Sequence, residues 1–171
     1  MNRTVYLIII SAIVFGSCKQ PTNQAVKFYE RGNAEMKGGN LILSIMYYNK
    51  AIALDTTQVD YYMSRGNAKL ITVDYEGAMK DFTKVIQLDP NKAEPYLLRA
   101  MIKVYKKEFT DEAVADLTEA ISLNPGLAKA YYNLGVINFV RHDLEAACTN
   151  WKKAADMGLT QAMDYLNKHC K

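Results

Sequence analysis

The sequence of 171 residues has little of what several common protein classes require. Its four prolines and nine glycines are too few for the turns of a loop-rich all-β protein. Its three cysteines include no CxxC pair, which excludes zinc ribbons and thioredoxin-like motifs. Its formal charge of +3, from 21 Lys and Arg against 18 Asp and Glu, is too even for the basic surface of a nucleic-acid-binding protein.

Motifs for catalysis and for cofactor binding are also missing. No GxSxG, HExxH, phosphate-binding loop or dinucleotide fingerprint occurs in the sequence. A zinc site from His142, Cys148, His169 and Cys170 is conceivable, but two of these residues are adjacent and the spacing matches no familiar site. We therefore expect a protein that is not an enzyme and that has no cofactor and no metal.

The first residues have the pattern of an export signal. Arg3 is followed by an almost wholly apolar run from Val5 to Phe15. A helix of this length rises about 16 Å, whereas a bilayer core is about 30 Å thick, so the run is too short to span a membrane. Small residues then precede Cys18. This order of charge, apolar run and small residues indicates a signal peptide over residues 1–17.

The segment Phe15-Gly16-Ser17-Cys18 resembles the lipobox of bacterial lipoproteins. The resemblance implies cleavage before Cys18 and lipidation of that cysteine. The polar residues from Lys19 to Gln24 indicate a tether, so that residues 18–24 hold the lipidated cysteine and a short tether. An ordinary secretory signal with a chance cysteine, or an uncleaved anchor, are the alternatives. Lys19 replaces the Asp of an inner-membrane retention signal, which favours the outer membrane of the bacterial envelope, facing the periplasm or the surface.

From residue 25 onwards, one unit of 34 or 35 residues occurs four times. Each copy has an aromatic residue, a small residue four positions later, and then a second small and a large residue. These positions are Phe28, Tyr62, Tyr96 and Tyr131; Gly32, Gly66, Ala100 and Gly135; Ser44, Ala78, Ala113 and Ala147; and Tyr48, Phe82, Leu117 and Trp151. A fixed period of this length is typical of repeat proteins that stack helices into a solenoid.

The copies resemble the tetratricopeptide repeat, most clearly in the strings Tyr62–Ala68 and Tyr131–Gly135. The resemblance implies an all-α solenoid of four helix hairpins over residues 25–171. The repeats fall at about 25–58, 59–92, 93–127 and 128–161, and a capping helix at about 160–170. The extra residue of the third repeat is expected in the turn within Lys103–Phe109. The predicted N-caps of the second helices are Asn40, Asp74, Thr110 and Asp143.

In this family the first helix of each hairpin lines a concave groove, at the fifth, ninth and twelfth positions of the repeat. The predicted partner-binding residues are Tyr29, Asn33, Met63, Asn67, Leu97, Met101, Tyr132, Val136 and Phe139, with Met36, Leu70 and Val104 on the same stripe. They include none of the Lys and Arg with which co-chaperones of the family hold a C-terminal carboxylate. An exposed groove of Met and Tyr would suit a peptide or a helix of a protein partner. The alternative is that much of this stripe packs against neighbouring helices.

Two further sets of residues recur or pair. Arg31, Arg65 and Arg99 are predicted to reach acids on nearby second helices, with Asp81 and Asp116 as candidates. Asn33 and Asn67 could hydrogen-bond an extended peptide backbone, although plain solvent exposure explains them equally well.

Cys148 and Cys170 are the cysteines that remain if Cys18 is lipidated, an even number in an oxidising compartment. Cys148 falls on the second helix of the last repeat and Cys170 ends the cap. We predict a disulfide between them, which would close a loop of about 22 residues and stabilise the fold by roughly 3 kcal/mol in the chain-entropy model. The alternative is two small buried side chains that never meet.

These patterns together predict a non-catalytic adaptor or scaffold, lipid-anchored in the envelope, that binds a protein partner in its groove. The alternative is an obligate structural subunit of an outer-membrane assembly or secretion machine. An adaptor would purify as a soluble monomer once Cys18 is removed, whereas an obligate subunit would aggregate or co-purify with its complex.

Overall fold

The structure, a computed structural model, describes residues 22–170, and every regular element in that range is a helix. In chain order these helices are α1 Asn23–Lys37, α2 Leu41–Leu54, α3 Val59–Ile71, α4 Tyr75–Leu88, α5 Ala93–Tyr105, α6 Asp111–Leu123, α7 Ala128–Val140, α8 Leu144–Asp156 and α9 Thr160–His169. Helices α1 to α8 pack as four successive antiparallel hairpins, and α9 packs against α8. The predicted all-α architecture of four hairpins and a C-terminal cap is confirmed.

The first helix begins slightly earlier in the chain than the sequence predicts. The side chain of Thr22 accepts a hydrogen bond from the backbone N–H of Ala25 and caps α1, which begins at Asn23. The last residues of the expected 18–24 tether therefore belong to the first helix and its cap. The expected signal peptide and Cys18 lie outside the described residues.

Short capped turns join the two helices of each hairpin. Asp74, Thr110 and Asp143 each accept a hydrogen bond from a backbone N–H three residues later, as predicted. Asn40 is also the N-cap residue of α2, as predicted, but its side-chain amide donates to the Glu35 carboxylate at 2.9 Å and makes no cap bond. The turn between α5 and α6 spans 106–110, two residues more than the turn 72–74 between α3 and α4. One of the two is the extra residue of the third repeat, and the other arises because α6 is one residue shorter than α4.

In each hairpin a small residue of the first helix packs directly against a large side chain of the second helix. A Cβ atom added at Gly66 would lie 2.7 Å from the Phe82 ring, closer than real Cβ contacts allow. A Cβ atom added at Gly32 would lie 2.6 Å from the Tyr48 ring, and one added at Gly135 would lie 2.5 Å from the Trp151 ring. The third hairpin has Ala100 and Leu117 at these positions, both fully buried in one cluster. The large residue therefore sets how closely the two helices approach.

Two arginines connect successive repeats. Arg65 donates two hydrogen bonds to Asp81, at 2.9 and 2.5 Å, and a third to Asn49 on the second helix of the preceding repeat. Arg99 likewise binds both carboxylate oxygens of Asp116 and reaches back to Thr83. The Asp116 hydrogen bond raises the pKa of Arg99 above its ordinary value. The predicted pairs are confirmed, and each arginine also bridges two hairpins.

Arg31 does not follow this pattern. Tyr47 occupies the position that Asp81 has one repeat later, so α2 offers no carboxylate. Arg31 instead pairs with Glu35 of its own helix at 3.0 Å, and its guanidinium lies 5.8 Å from the centre of the Tyr47 ring. The prediction of an acid on a second helix is therefore wrong for Arg31.

A disulfide joins the cap to the last hairpin. Cys148 of α8 and Cys170, directly after α9, have an S–S distance of 2.02 Å and a Cα–Cα distance of 5.7 Å. These are the two thiols that the alternative zinc site would have required. Among the described residues, no helix combines the length and the apolar character that crossing a membrane requires.

The closure of the hairpins can be tested at Gly66. Replacing Gly66→Ala should destabilise the fold by about 1–3 kcal/mol despite the better helix propensity of Ala, because the Phe82 ring must move. Urea unfolding followed by circular dichroism measures the change. The control is Gly38→Ala, where an added Cβ would meet its nearest neighbours at an ordinary 3.5 Å. A Gly66→Ala variant as stable as the Gly38→Ala variant would contradict this account of the hairpin.

Candidate functional site

A cleft opens on the face formed by the first helices of the hairpins. Helix α5 contacts α7 on this face, and a cleft of about 630 Å³ lies between α3, α5 and the start of α7. We call it the α3–α5–α7 cleft. Its apolar lining includes Met63, Leu97, Leu98, Met101 and Leu127, and its charged residues are Asp60, Lys92, Glu94 and Lys129.

Helical periodicity explains why these side chains meet. Asp60, Met63 and Asn67 are separated by three and four residues, so they project from one face of α3. Glu94, Leu97 and Met101 repeat this spacing on α5. Pro95 lies in the first turn of α5, where no intrahelical N–H donor is lost, so the helix begins normally beside the cleft.

The cleft has an apolar floor and a rim of balanced charge. Leu97 is buried, whereas Met63 and Met101 are half-buried and can contact a ligand. The rim carries two carboxylates and two lysines, so it presents no excess of either sign. None of the residues that line the cleft is a His, Cys or Ser. The arrangement suits an uncharged, largely apolar chain segment, and the flexible methionines can adapt to its shape.

The structure brings three of the predicted groove residues together in this cleft: Met63, Leu97 and Met101. Sequence reasoning missed Leu98, Leu127 and the charged rim. Asp60, Glu94 and Lys129 all occupy the second position of their repeats, three residues before the predicted fifth position. The same helical periodicity could therefore have found them.

The two asparagines predicted to line the groove have different roles. The Asn33 side chain accepts a 2.8 Å hydrogen bond from the Tyr48 hydroxyl, so it satisfies a buried group within the first hairpin. The Asn67 side chain makes no hydrogen bond within residues 22–170 and is half-buried beside the cleft. Of the two, only Asn67 has a side chain available to a partner.

Tyr29 lies between repeats rather than in an open groove. Its ring centre is 4.8 Å from that of Tyr61, and its hydroxyl is hydrogen-bonded to Ser64 at 3.2 Å. The alternative given above, that part of the stripe packs against neighbouring helices, describes this residue.

Helix α9 covers much of the stripe in the fourth repeat. The Tyr132 ring meets the Tyr165 ring edge-on at 5.5 Å, and burial together with a hydrogen bond to Tyr165 raises the pKa of Tyr132 to about 12. Phe139 lies 4.6 Å from the His169 ring. Val136 and Phe139 also line a separate cleft of about 550 Å³ between α7 and α9. The cap thus takes the place where a further repeat would stack, and we leave these three residues out of the candidate site.

The contrast between the asparagines can be measured. Replacing Asn33→Ala should cost about 1–3 kcal/mol of stability, because it removes the acceptor of the Tyr48 hydroxyl, and Tyr48 is only 1% exposed. The matched change Asn67→Ala should stay within about 0.5 kcal/mol of the wild type. Urea unfolding of both variants checks this, and adding Tyr48→Phe to Asn33→Ala should recover part of the loss. Equal stability of the two alanine variants would contradict the assigned roles.

The comparisons with known proteins agree with this geometry. The family model of the tetratricopeptide repeat matches residues 59–92, which hold α3 and α4. No curated protein sequence matches the chain. Among solved structures, residues 41 to the end of MamA from Desulfovibrio magneticus RS-1 superpose with a TM-score of 0.81 at 20% identity, covering 88% of this chain and 85% of that one.

Two tetratricopeptide-repeat domains are also similar. The Arabidopsis OM64 domain is 26% identical with a TM-score of 0.63, covering 68% of this chain and 96% of its own. The second such domain of human RPAP3, solved with the HSP70 peptide SGPTIEEVD, is 29% identical with a TM-score of 0.63, covering 70% and 98%. Taken with the four hairpins and their recurring small and large residues, these matches show that the described chain has the fold of a tetratricopeptide-repeat solenoid.

Proposed function

We propose that this protein is a non-catalytic adaptor, lipid-anchored in the bacterial envelope, that binds an apolar segment of a partner protein in the α3–α5–α7 cleft. The observation that carries the proposal is the cleft itself, with half-buried methionines on its floor and a rim of balanced charge. Solenoids of this fold are typically interaction modules. The cleft supplies the flexible apolar contact that adaptable peptide binding uses.

The chemistry of the cleft favours a partner segment that differs from the peptide bound in one similar structure. The HSP70 peptide bound to the second RPAP3 domain ends in Glu-Glu-Val-Asp. In the present cleft Lys92 and Lys129 are offset by Asp60 and Glu94, and the floor is apolar. A strongly acidic peptide would therefore gain little net attraction here. We infer a partner segment of low charge with large apolar side chains.

The proposed anchor places the cleft close to the bilayer. Cys18 precedes the Thr22 cap by four residues, so the connecting chain spans at most about 14 Å. Because every hairpin reverses the chain, α1, α3, α5 and α7 run in the same direction and begin at one edge of the solenoid. Val59, Ala93 and Lys129 lie at or near the beginnings of α3, α5 and α7, and they line the cleft at that edge. A partner segment near the membrane surface fits this arrangement.

A photocrosslinking amino acid at Asn67 should capture the partner in intact cells, because this side chain lies beside the cleft and holds no structural hydrogen bond.

Once the partner is known, Met101→Gln should weaken binding about tenfold, since it places a polar group on the apolar floor. The control is Glu119→Gln on the exposed side of α6, which should leave the affinity unchanged. If the Met101→Gln variant binds the partner as tightly as the wild type does, the cleft is not the binding site.

The anchor is tested independently of the cleft. Changing Cys18→Ser should release the protein from the membrane fraction or leave the precursor uncut, because no thiol remains to be acylated. Fractionation and intact-mass analysis of wild type and variant report the outcome. The matched control is Ser17→Ala, which keeps a small residue before the cysteine and should still be processed. A wild-type mass without an acyl adduct would contradict the lipid anchor while leaving the cleft untouched.

A further inference from the structure

Helix α9 buries fewer residues than any other helix of the described chain. Its one buried residue is Ala162, whereas α8 buries three residues and α7 buries five. With ten residues it is also the shortest helix between residues 22 and 170. A helix of this length is marginal on its own in water, so α9 depends on what fixes it to the rest of the fold.

The two ends of α9 are fixed in different ways. The turn that leads into the helix passes through Gly158, whose φ of 87° lies in the left-handed region that glycine adopts easily. A Cβ atom added at Gly158 would have no neighbour within 4 Å among the described residues, so this turn faces open space. At the other end, Cys170 is bonded to Cys148 of α8. The disulfide therefore holds the end of α9 that lies away from the turn.

Helix α9 lies over α7 without filling the space against it. Tyr165 contacts Tyr132 and His169 contacts Phe139, with ring centres 5.5 and 4.6 Å apart. Between these ring contacts lies the cleft of about 550 Å³, which Val136 and Phe139 line from the side of α7. We call Tyr132, Val136 and Phe139 the α7 stripe. Its cover is therefore a short helix with a loose fit, tied at its end by one covalent bond.

We propose that the disulfide between Cys148 and Cys170 is a redox switch that controls the position of α9. While the bond is intact, α9 covers the α7 stripe. Once the bond is reduced, α9 moves away about the turn at Gly158 and uncovers the stripe. The stripe continues the face of α7 on which Lys129 lines the α3–α5–α7 cleft, three residues before Tyr132. The reduced protein therefore presents a longer apolar groove than the oxidised one.

The reductant that operates this switch is a dithiol. Cys148 and Cys170 are both partly exposed, so a thiolate can approach the bond. The thiolate attacks one sulfur, which forms a mixed disulfide and releases the other cysteine, and the second thiol of the reductant then displaces the first cysteine. Two electrons and two protons pass from the dithiol to the two cysteines, and the dithiol leaves as a disulfide. Exchange in the opposite direction restores the bond and the cover.

Hydrogen–deuterium exchange of the full chain in detergent follows α9 directly. On reduction with dithiothreitol, the protection of the α9 backbone amides should fall about tenfold or more, because the bond no longer restricts the opened state. The amides of α3 and α4 are the internal control and should exchange at an unchanged rate. The double variant Cys148→Ser/Cys170→Ser should match the reduced protein without any reductant. Equal protection of α9 in all three proteins, or a loss of protection spread over every described helix, would overturn the proposal.

The opening of α9 does not depend on the proposed function, whereas its effect on a partner does. The length of groove offered to a partner segment changes only if that segment binds in the α3–α5–α7 cleft. A Met101→Gln variant that binds normally would refute binding in the cleft and leave the switch standing. Unchanged protection of α9 would refute the switch and leave the cleft standing.

Trp151 reports whether α9 moves away or only loosens in place. It is the one tryptophan of the sequence, and its buried ring lies 4.9 Å from the Tyr165 ring. Acrylamide should quench its fluorescence several times more strongly in the Cys148→Ser/Cys170→Ser variant than in the oxidised wild type, because α9 no longer shields the ring. Each protein is compared with its own unquenched signal, which removes any direct effect of the disulfide. Equal quenching of the two proteins would overturn the proposal.

Discussion

The fold depends on how closely the two helices of each hairpin approach. In three of the four hairpins, an aromatic ring of the second helix lies directly on a glycine of the first, where even one added carbon would overlap the ring. This contact fixes the spacing of the hairpin, and the spacing orients the rest of the first helix. Met63 reaches the cleft from a helix held by this contact, and Met101 from α5, which the buried Ala100 and Leu117 hold against α6 instead. The candidate site is thus a consequence of backbone packing several residues away.

Polar contacts then set how one hairpin stacks on the next. Arg65 and Arg99 each bind an acid within their own repeat and a polar side chain of the preceding one. Such buried pairs add less to stability than to the definition of one arrangement, because their desolvation offsets much of their attraction. The first repeat lacks the acid, and the last repeat is covered by α9 and held by the disulfide of Cys148. The cleft therefore lies in the middle of the solenoid, between two ends that are completed differently.

The sequence predicted the features that depend on local spacing. Helical periodicity or the repeat accounts for the hairpins, the four N-cap positions of the second helices, the Arg65 and Arg99 pairs and three residues of the cleft. What it could not predict depends on neighbours that are distant along the chain. Tyr132 is covered because α9 folds back over α7, and Asn33 is occupied because Tyr48 brings its hydroxyl there.

The role of the small-to-large contact is tested most directly by a double-mutant cycle at Gly66 and Phe82. The third hairpin shows that Ala and Leu can replace glycine and an aromatic ring together, since Ala100 and Leu117 are both fully buried. Phe82→Leu should therefore relieve the cost of Gly66→Ala, and urea unfolding of the four proteins should give a coupling energy of about 1 kcal/mol or more. Additive losses, with no coupling between the two positions, would contradict the claim that this contact sets the hairpin spacing.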